Sequence, residues 1–80
     1  MGTVALISNE AKIQELVRQA WDEGRSIDMG HLVEHDRMLV WETIADLIES
    51  RLPRMKRNGR RPYVLIVRDH YRLRIELCEL

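Results

Sequence analysis

The sequence predicts a small α+β domain in the order strand, helix, helix, strand, strand. Two helices would pack on one face of a small antiparallel sheet that ends in a C-terminal β-hairpin. Three observations predict it: apolar residues recur at helical spacing over residues 10–23 and again over 29–52, Tyr63 to Val67 is an unbroken aromatic and aliphatic run, and Tyr71 to Cys78 alternates apolar with polar.

Taken in chain order, Thr3 to Ile7 is a short apolar stretch with β-branched ends and is expected as the first strand. Ser8 and Asn9 are good helix caps, and Glu10 after them suits the positive end of a helix. Ile13, Leu16, Val17, Ala20 and Trp21 form one helical stripe, and Gly24 follows as its C′ residue. The second helical region is either one curved helix from about residue 29 to 52 or a short piece followed by a longer one starting near Asp36. Leu32, Val33, Val40, Ile44 and Leu47 lie on one of its faces, and Met38, Trp41, Ala45, Ile48 and Leu52 form an adjacent arc. Together the apolar positions of residues 38–52 span roughly 160°, against the ~100° of one-sided burial, which predicts a central helix packed on two sides. Pro53 is expected to end it.

Residues 51–62 then read as a basic linker, with Arg51, Arg54, Lys56, Arg57, Arg60 and Arg61 around an Asn58-Gly59 turn. Tyr63 to Val67 is the strongest strand signal, and Arg68, Asp69 and His70 form the turn of the hairpin. With Asp69-His70 as a two-residue turn, Val64 and Ile66 share a face with Leu73 and Ile75 and cover the helices. The opposite face carries Tyr63, Leu65 and Val67 beside Arg72, Arg74 and Glu76, an unusual composition for a solvent face.

At 80 residues the chain is one domain, 1–80, too short for most multi-residue enzyme scaffolds. A chain of this size buries only about 60% of its unfolded surface, so a partner or self-association, as a two-fold homodimer, would add stability. The single cysteine, Cys78, cannot close an internal disulfide, which points to the reducing cytoplasm. The apolar run at the start stops at Ser8, short of the ~20 residues that cross a bilayer. No basic stretch precedes it, and Leu6 breaks the myristoylation pattern, so neither signal peptide nor membrane anchor is expected.

The formal net charge of zero hides a split: residues 1–50 hold ten acids and four bases, a net of −6, and residues 51–80 hold nine bases and three acids, a net of +6. Such segregation either neutralises itself within the fold or offers a charged face to a partner.

Motifs that would carry chemistry are thin. His31-Leu32-Val33-Glu34-His35 matches the H-x-x-E-H spacing of inverted zinc peptidases, but no third ligand follows, and such enzymes are far larger. A structural site from His31, His35, His70 and Cys78 lacks paired Cys-His spacing. The Ala20 and Gly24 spacing of a helix-turn-helix is followed by Arg25 and Gly30 where apolar residues belong. No metal, cofactor or catalytic residue is therefore expected.

Six bases in the eleven residues 51–61 are the strongest functional signal. They fit a solvated loop, a protein partner or a nucleic-acid backbone, the last with Tyr63 and Tyr71 stacking on bases. Apolar Tyr63, Leu65 and Val67 beside Arg72 and Arg74 suit a protein hot spot better than a phosphate-tracking groove. The expected function is a non-catalytic protein-binding module, a small regulator or inhibitor of the kind mobile elements direct against host defence complexes such as CRISPR. The expected contact residues are Arg54, Lys56, Arg57, Arg60, Arg61, Tyr63, Leu65, Arg72 and Arg74. A nucleic-acid-binding regulator using residues 51–61 is the alternative.

Overall fold

A computed structural model describes the backbone of residues 2–80 and the side chains of residues 10–80. Two helices and a three-stranded antiparallel sheet form an α+β domain: α1 is Gly2–Glu23, β1 Ile27–Asp28, α2 Glu34–Arg57, β2 Pro62–Asp69 and β3 Arg72–Glu79. The sheet order is β1-β3-β2.

The first strand is therefore not where the sequence suggested. Residues 3–7 belong to α1, and the strand lies between the helices. A five-residue apolar run is ambiguous by periodicity. No Gly or Pro separates it from the amphipathic stripe behind it, so each residue extends the existing helix by one hydrogen bond. Ser8 and Asn9 accordingly sit inside α1 rather than capping it.

The end of α1 matches its expectation. Gly24 has φ +69°. Its N–H donates to the Trp21 carbonyl, and the Arg25 N–H donates to the Ala20 carbonyl at 2.9 Å, the paired bonds of a Schellman motif. The same pattern closes α2, where Gly59 has φ +78°. There the Gly59 N–H donates to Lys56 and the Arg60 N–H to Met55. Asn58-Gly59 is thus a helix C-terminus and not a free turn, and residues 51–57 of the expected linker are the last two turns of α2.

Pro53 sits inside α2 instead of ending it. Its ring removes one backbone bond and costs about 3 kcal/mol or more. Half-buried Leu52 and Met55 continue the apolar face past that point, and Arg54, Lys56 and Arg57 complement the negative end of the helix dipole.

α1 and α2 run side by side in the same direction: Gln14 and Arg18 line one groove with Thr43 and Asp46, and further along Arg51 donates to Asp22 at 2.7 Å. Both cover one face of the sheet. The core joins Ile13, Val17, Ala20 and Trp21 of α1 to Leu39, Val40 and Ile44 of α2 and to Ile27, Leu73 and Ile75 of the sheet. α2 packs on two sides, against α1 and against the sheet. Part of its second apolar arc nevertheless stays open: Ala45 is exposed, and Met38 and Trp41 retain 56% and 38% exposure.

The hairpin turns at His70-Tyr71, one residue later than expected, so Asp69 pairs with Arg72 and Ile66 with Ile75. Partners shift by two residues, and the faces do not change. Val64, Ile66, Leu73 and Ile75 face the helices, while Tyr63, Leu65 and Val67 share the outer face with Arg72, Arg74, Glu76 and Cys78. No helix among the described residues is long and apolar enough to cross a membrane.

Candidate functional site: the bare edge and outer face of β2

β2 reads Pro62-Tyr63-Val64-Leu65-Ile66-Val67-Arg68-Asp69. Apolar side chains on both faces are the composition of a central strand covered on two sides. Here the strand stands at the edge of the sheet, with β3 on one side only. Tyr63, Leu65 and Ile66 keep 43%, 45% and 41% of their surface exposed.

The ladder shows which backbone groups are free. The Leu80 N–H donates to the Arg61 carbonyl at 3.0 Å, and Asp69 faces Arg72 as the closing pair of a two-residue turn. Residues 61 and 69 therefore both point their backbone groups at β3, and antiparallel pairing alternates, so Tyr63, Leu65 and Val67 do the same. Val64, Ile66 and Arg68 consequently turn their N–H and C=O groups outward. Pro62, which has no N–H, falls on the outward set as edge strands require.

The outer face carries Tyr63 opposite Cys78, Leu65 opposite Glu76 and Val67 opposite Arg74. Arg74 bonds Glu76 at 2.7 Å, and its shielded Nε has no hydrogen-bond partner among the described residues. The phenol of Tyr63 is held above its ordinary pKa, first by the hydrogen bond and then by the charge of the Cys78 side chain across the strand pair, with smaller contributions from burial and Glu76.

The nine residues expected to make contact do not form one patch. Tyr63, Leu65, Arg72 and Arg74 share the outer face. Arg60, which pairs with Glu79, and Arg61 flank the start of β2. Arg54, Lys56 and Arg57 lie on α2, on the other side of the sheet. Arg51 is occupied as well: it bonds Asp22 and lies 5.2 Å from the Trp21 ring centre. The basic run is thus divided between a helix end and a strand entrance. Alternation revealed the outer face. The free edge was missed, because it follows from strand order, which periodicity does not encode.

The histidines gather no metal set. His31 lies in the turn before α2, so His31 and His35 do not share a helix face, and His70 is in the hairpin turn. Among the described residues no three His, Cys, Asp or Glu side chains converge. The helix-turn-helix spacing at Gly24 leads into β1 and not into a second helix.

Comparison of the chain with models of known families, with curated proteins and with solved structures gives no match.

Proposed function

We propose that this chain is a non-catalytic protein-binding module, a small regulator or inhibitor, that docks by adding a partner's extended segment to the free edge of β2. The observation that carries this reading is a strand apolar on both faces yet unpaired along one side. Main-chain bonds to Val64, Ile66 and Arg68 would supply affinity, and side chains alternating over Tyr63 and Leu65 would supply specificity.

Charge selects the occupant. Arg60 and Arg61 stand at one end of the strand and Arg68 and Arg72 near the other. Antiparallel pairing with a second copy would set the Arg68 end of each strand beside the Arg61 end of the other, and like charges there would repel. An acidic segment would gain at both ends. Nucleic-acid binding is a weaker reading, because Arg51 and Arg60 already have acidic partners.

The test follows backbone amide exchange by NMR, with an eight-residue peptide alternating valine and glutamate as the probe. In the free protein the amides of Val64, Ile66 and Arg68 should exchange fast and those of Leu65 and Val67 slowly. The peptide should protect the first three, and Ile66→Pro should abolish that protection. A peptide that binds without protecting them would overturn edge docking. Tighter, strongly salt-dependent binding of duplex DNA would favour the nucleic-acid reading. A concentration-dependent dimer protecting the same amides would put a second copy in the partner's place.

A further inference from the structure

Ile66 and Ile75 stand opposite each other in the ladder and face the same helices, yet Ile66 is 41% exposed and Ile75 only 2%. The helical layer thus covers β3 and leaves the inner side of β2 partly open.

The helix beside that opening is apolar. Val40 and Ile44 of α2 are buried in the core, and Thr43, Asp46 and Ser50 line the groove shared with α1. On the other flank Trp41, Ala45, Ile48 and Leu52 recur at spacings of four, three and four, which makes one stripe along the helix. Trp41 and Ala45 are exposed, and Ile48 and Leu52 are half-buried. The last strand of the sheet, β2, lies against α2, while α1 lies against β3. Ile48 of the stripe and Val64 of β2 both pack on the margin of the core. The stripe and the inner side of β2 are therefore two walls of one apolar step that runs beside the free edge.

We propose that α2 is the second wall of the docking site. The segment that adds to β2 is then amphipathic, with every other side chain apolar and turned toward the stripe and the side chains between them acidic and on the outer face. This inference rests on the edge docking proposed above and specifies the partner's pattern. Residues directly opposite each other on paired strands share a face. Side chains opposite Val64 and Ile66 thus enter the step, and those opposite Leu65 and Val67 do not. An apolar side chain in the step is covered by strand and helix together, whereas one on the outer face meets the sheet alone, so the step removes more of it from water. The outer face favours acids: alternation places Arg61 there with Tyr63 and Leu65, and Arg61 forms no ion pair with a described acid. A second copy does not fit this pattern, because its β2 is apolar on both faces and carries arginines near both ends.

Two eight-residue peptides of one composition test the pattern on the full chain: valine alternating with glutamate, and four valines followed by four glutamates. The chain has two tryptophans, and Trp21, buried in the core, is an internal control for Trp41. The alternating peptide should shift the Trp41 indole N–H resonance saturably and leave Trp21 unmoved. Its valine methyls should give nuclear Overhauser contacts to Trp41 and not to Tyr63. It should bind about tenfold more tightly than the block peptide, which cannot place all its valines in the step. Ala45→Gln puts an amide in the step and should weaken the alternating peptide about fivefold. Ser50→Gln, on the flank facing α1, should change it by less than about twofold. Both positions are exposed, and an unchanged Trp21 resonance verifies the fold of each variant.

Protection of the Val64, Ile66 and Arg68 amides without a Trp41 shift would overturn this inference and leave edge docking standing. So would valine contacts to Tyr63, equal binding of the two peptides, or equal losses in Ala45→Gln and Ser50→Gln. A peptide bound as a helix along the stripe, or none bound with those amides protected, would overturn edge docking and this inference with it.

Discussion

The two edges of the sheet are built in opposite ways. The β1 edge is two residues long, with Ile27 buried and the Asp28 carboxylate accepting the Gly30 N–H at 2.9 Å. The next residue, Met29, is bonded to the hairpin turn. The chain thus leaves the sheet almost as soon as it joins it. The β2 edge runs eight residues, with Pro62 at its entrance and Arg68 near its exit as the only devices that discourage pairing. Between them lie five apolar residues in succession. Shortness closes the first edge. The second stays open to another strand, and its composition suits one.

The largest effect should come from the inner face, where closure is complete. Leu73 is 1% exposed, pairs with Ile27 of β1, and faces both helices. Leu73→Ala should cost roughly 2–5 kcal/mol of stability, comparable to the whole margin of a domain this small. Leu65→Ala, on the open outer face, should change stability by no more than ~1 kcal/mol and act on partner binding instead. Urea denaturation of both variants checks the contrast. Equal losses would mean that the outer face is covered in solution.

Proline separates the two sides of β2 itself. Leu65→Pro removes an N–H that belongs to the ladder with β3 and should cost about 2–3 kcal/mol. Ile66→Pro removes an outward N–H and should cost about 1 kcal/mol or less. Thermal melts of the pair read the assignment directly, and a reversed order would exchange the bonded and free sets of backbone groups.

Local signals explain which features were legible in the sequence. Alternation over Tyr71 to Cys78 gave the two faces of the hairpin, and that division survived a one-residue displacement of the turn because parity was preserved. The stripe from Ile13 to Trp21 and the stop at Gly24 were legible for the same reason: spacing and a positive-φ residue act over one or two turns. Ile27-Asp28 could not be read, since two residues have no period. Pro53 misled because its local cost is outweighed by the apolar face that continues to Met55. Of the expected contact residues, Tyr63, Leu65, Arg72 and Arg74 did fall on one face, but the small cavity beside the hairpin turn joins Arg37 and Trp41 to residues about thirty positions away, a meeting that only packing reveals.

The turn that joins the two longer strands has a weak point. His70 adopts φ +54°, the single non-glycine positive φ among the described residues, at the first central position of a two-residue turn where glycine is usual. His70→Gly relieves that conformation and raises the entropy of the unfolded chain, so the net gain should be about 0.5–1 kcal/mol. Calorimetry should show a higher Tm with the β2–β3 register intact. A lower Tm would mean that the His70 side chain makes a contact worth more than the relief.

The smallest effect reports on the outer face of the open strand. Tyr63 stands opposite Cys78, which holds the phenol above its ordinary pKa of about 10. A raised value means that the folded state keeps the proton more tightly than the unfolded chain does. That contribution to stability is complete below pH ~10 and is lost as pH rises through the folded value. Tyr71→Phe leaves Tyr63 as the sole phenol, and its near-ultraviolet absorbance can then be titrated in native buffer and in urea. The native midpoint should be the higher of the two. Cys78→Ala should remove most of the difference, and Glu76→Gln should remove less, because Cys78 is the larger cause. If the two midpoints coincide before either substitution, Tyr63 and Cys78 do not face each other. The assignment of outward backbone groups along β2, which rests on the same register, would then fail with it.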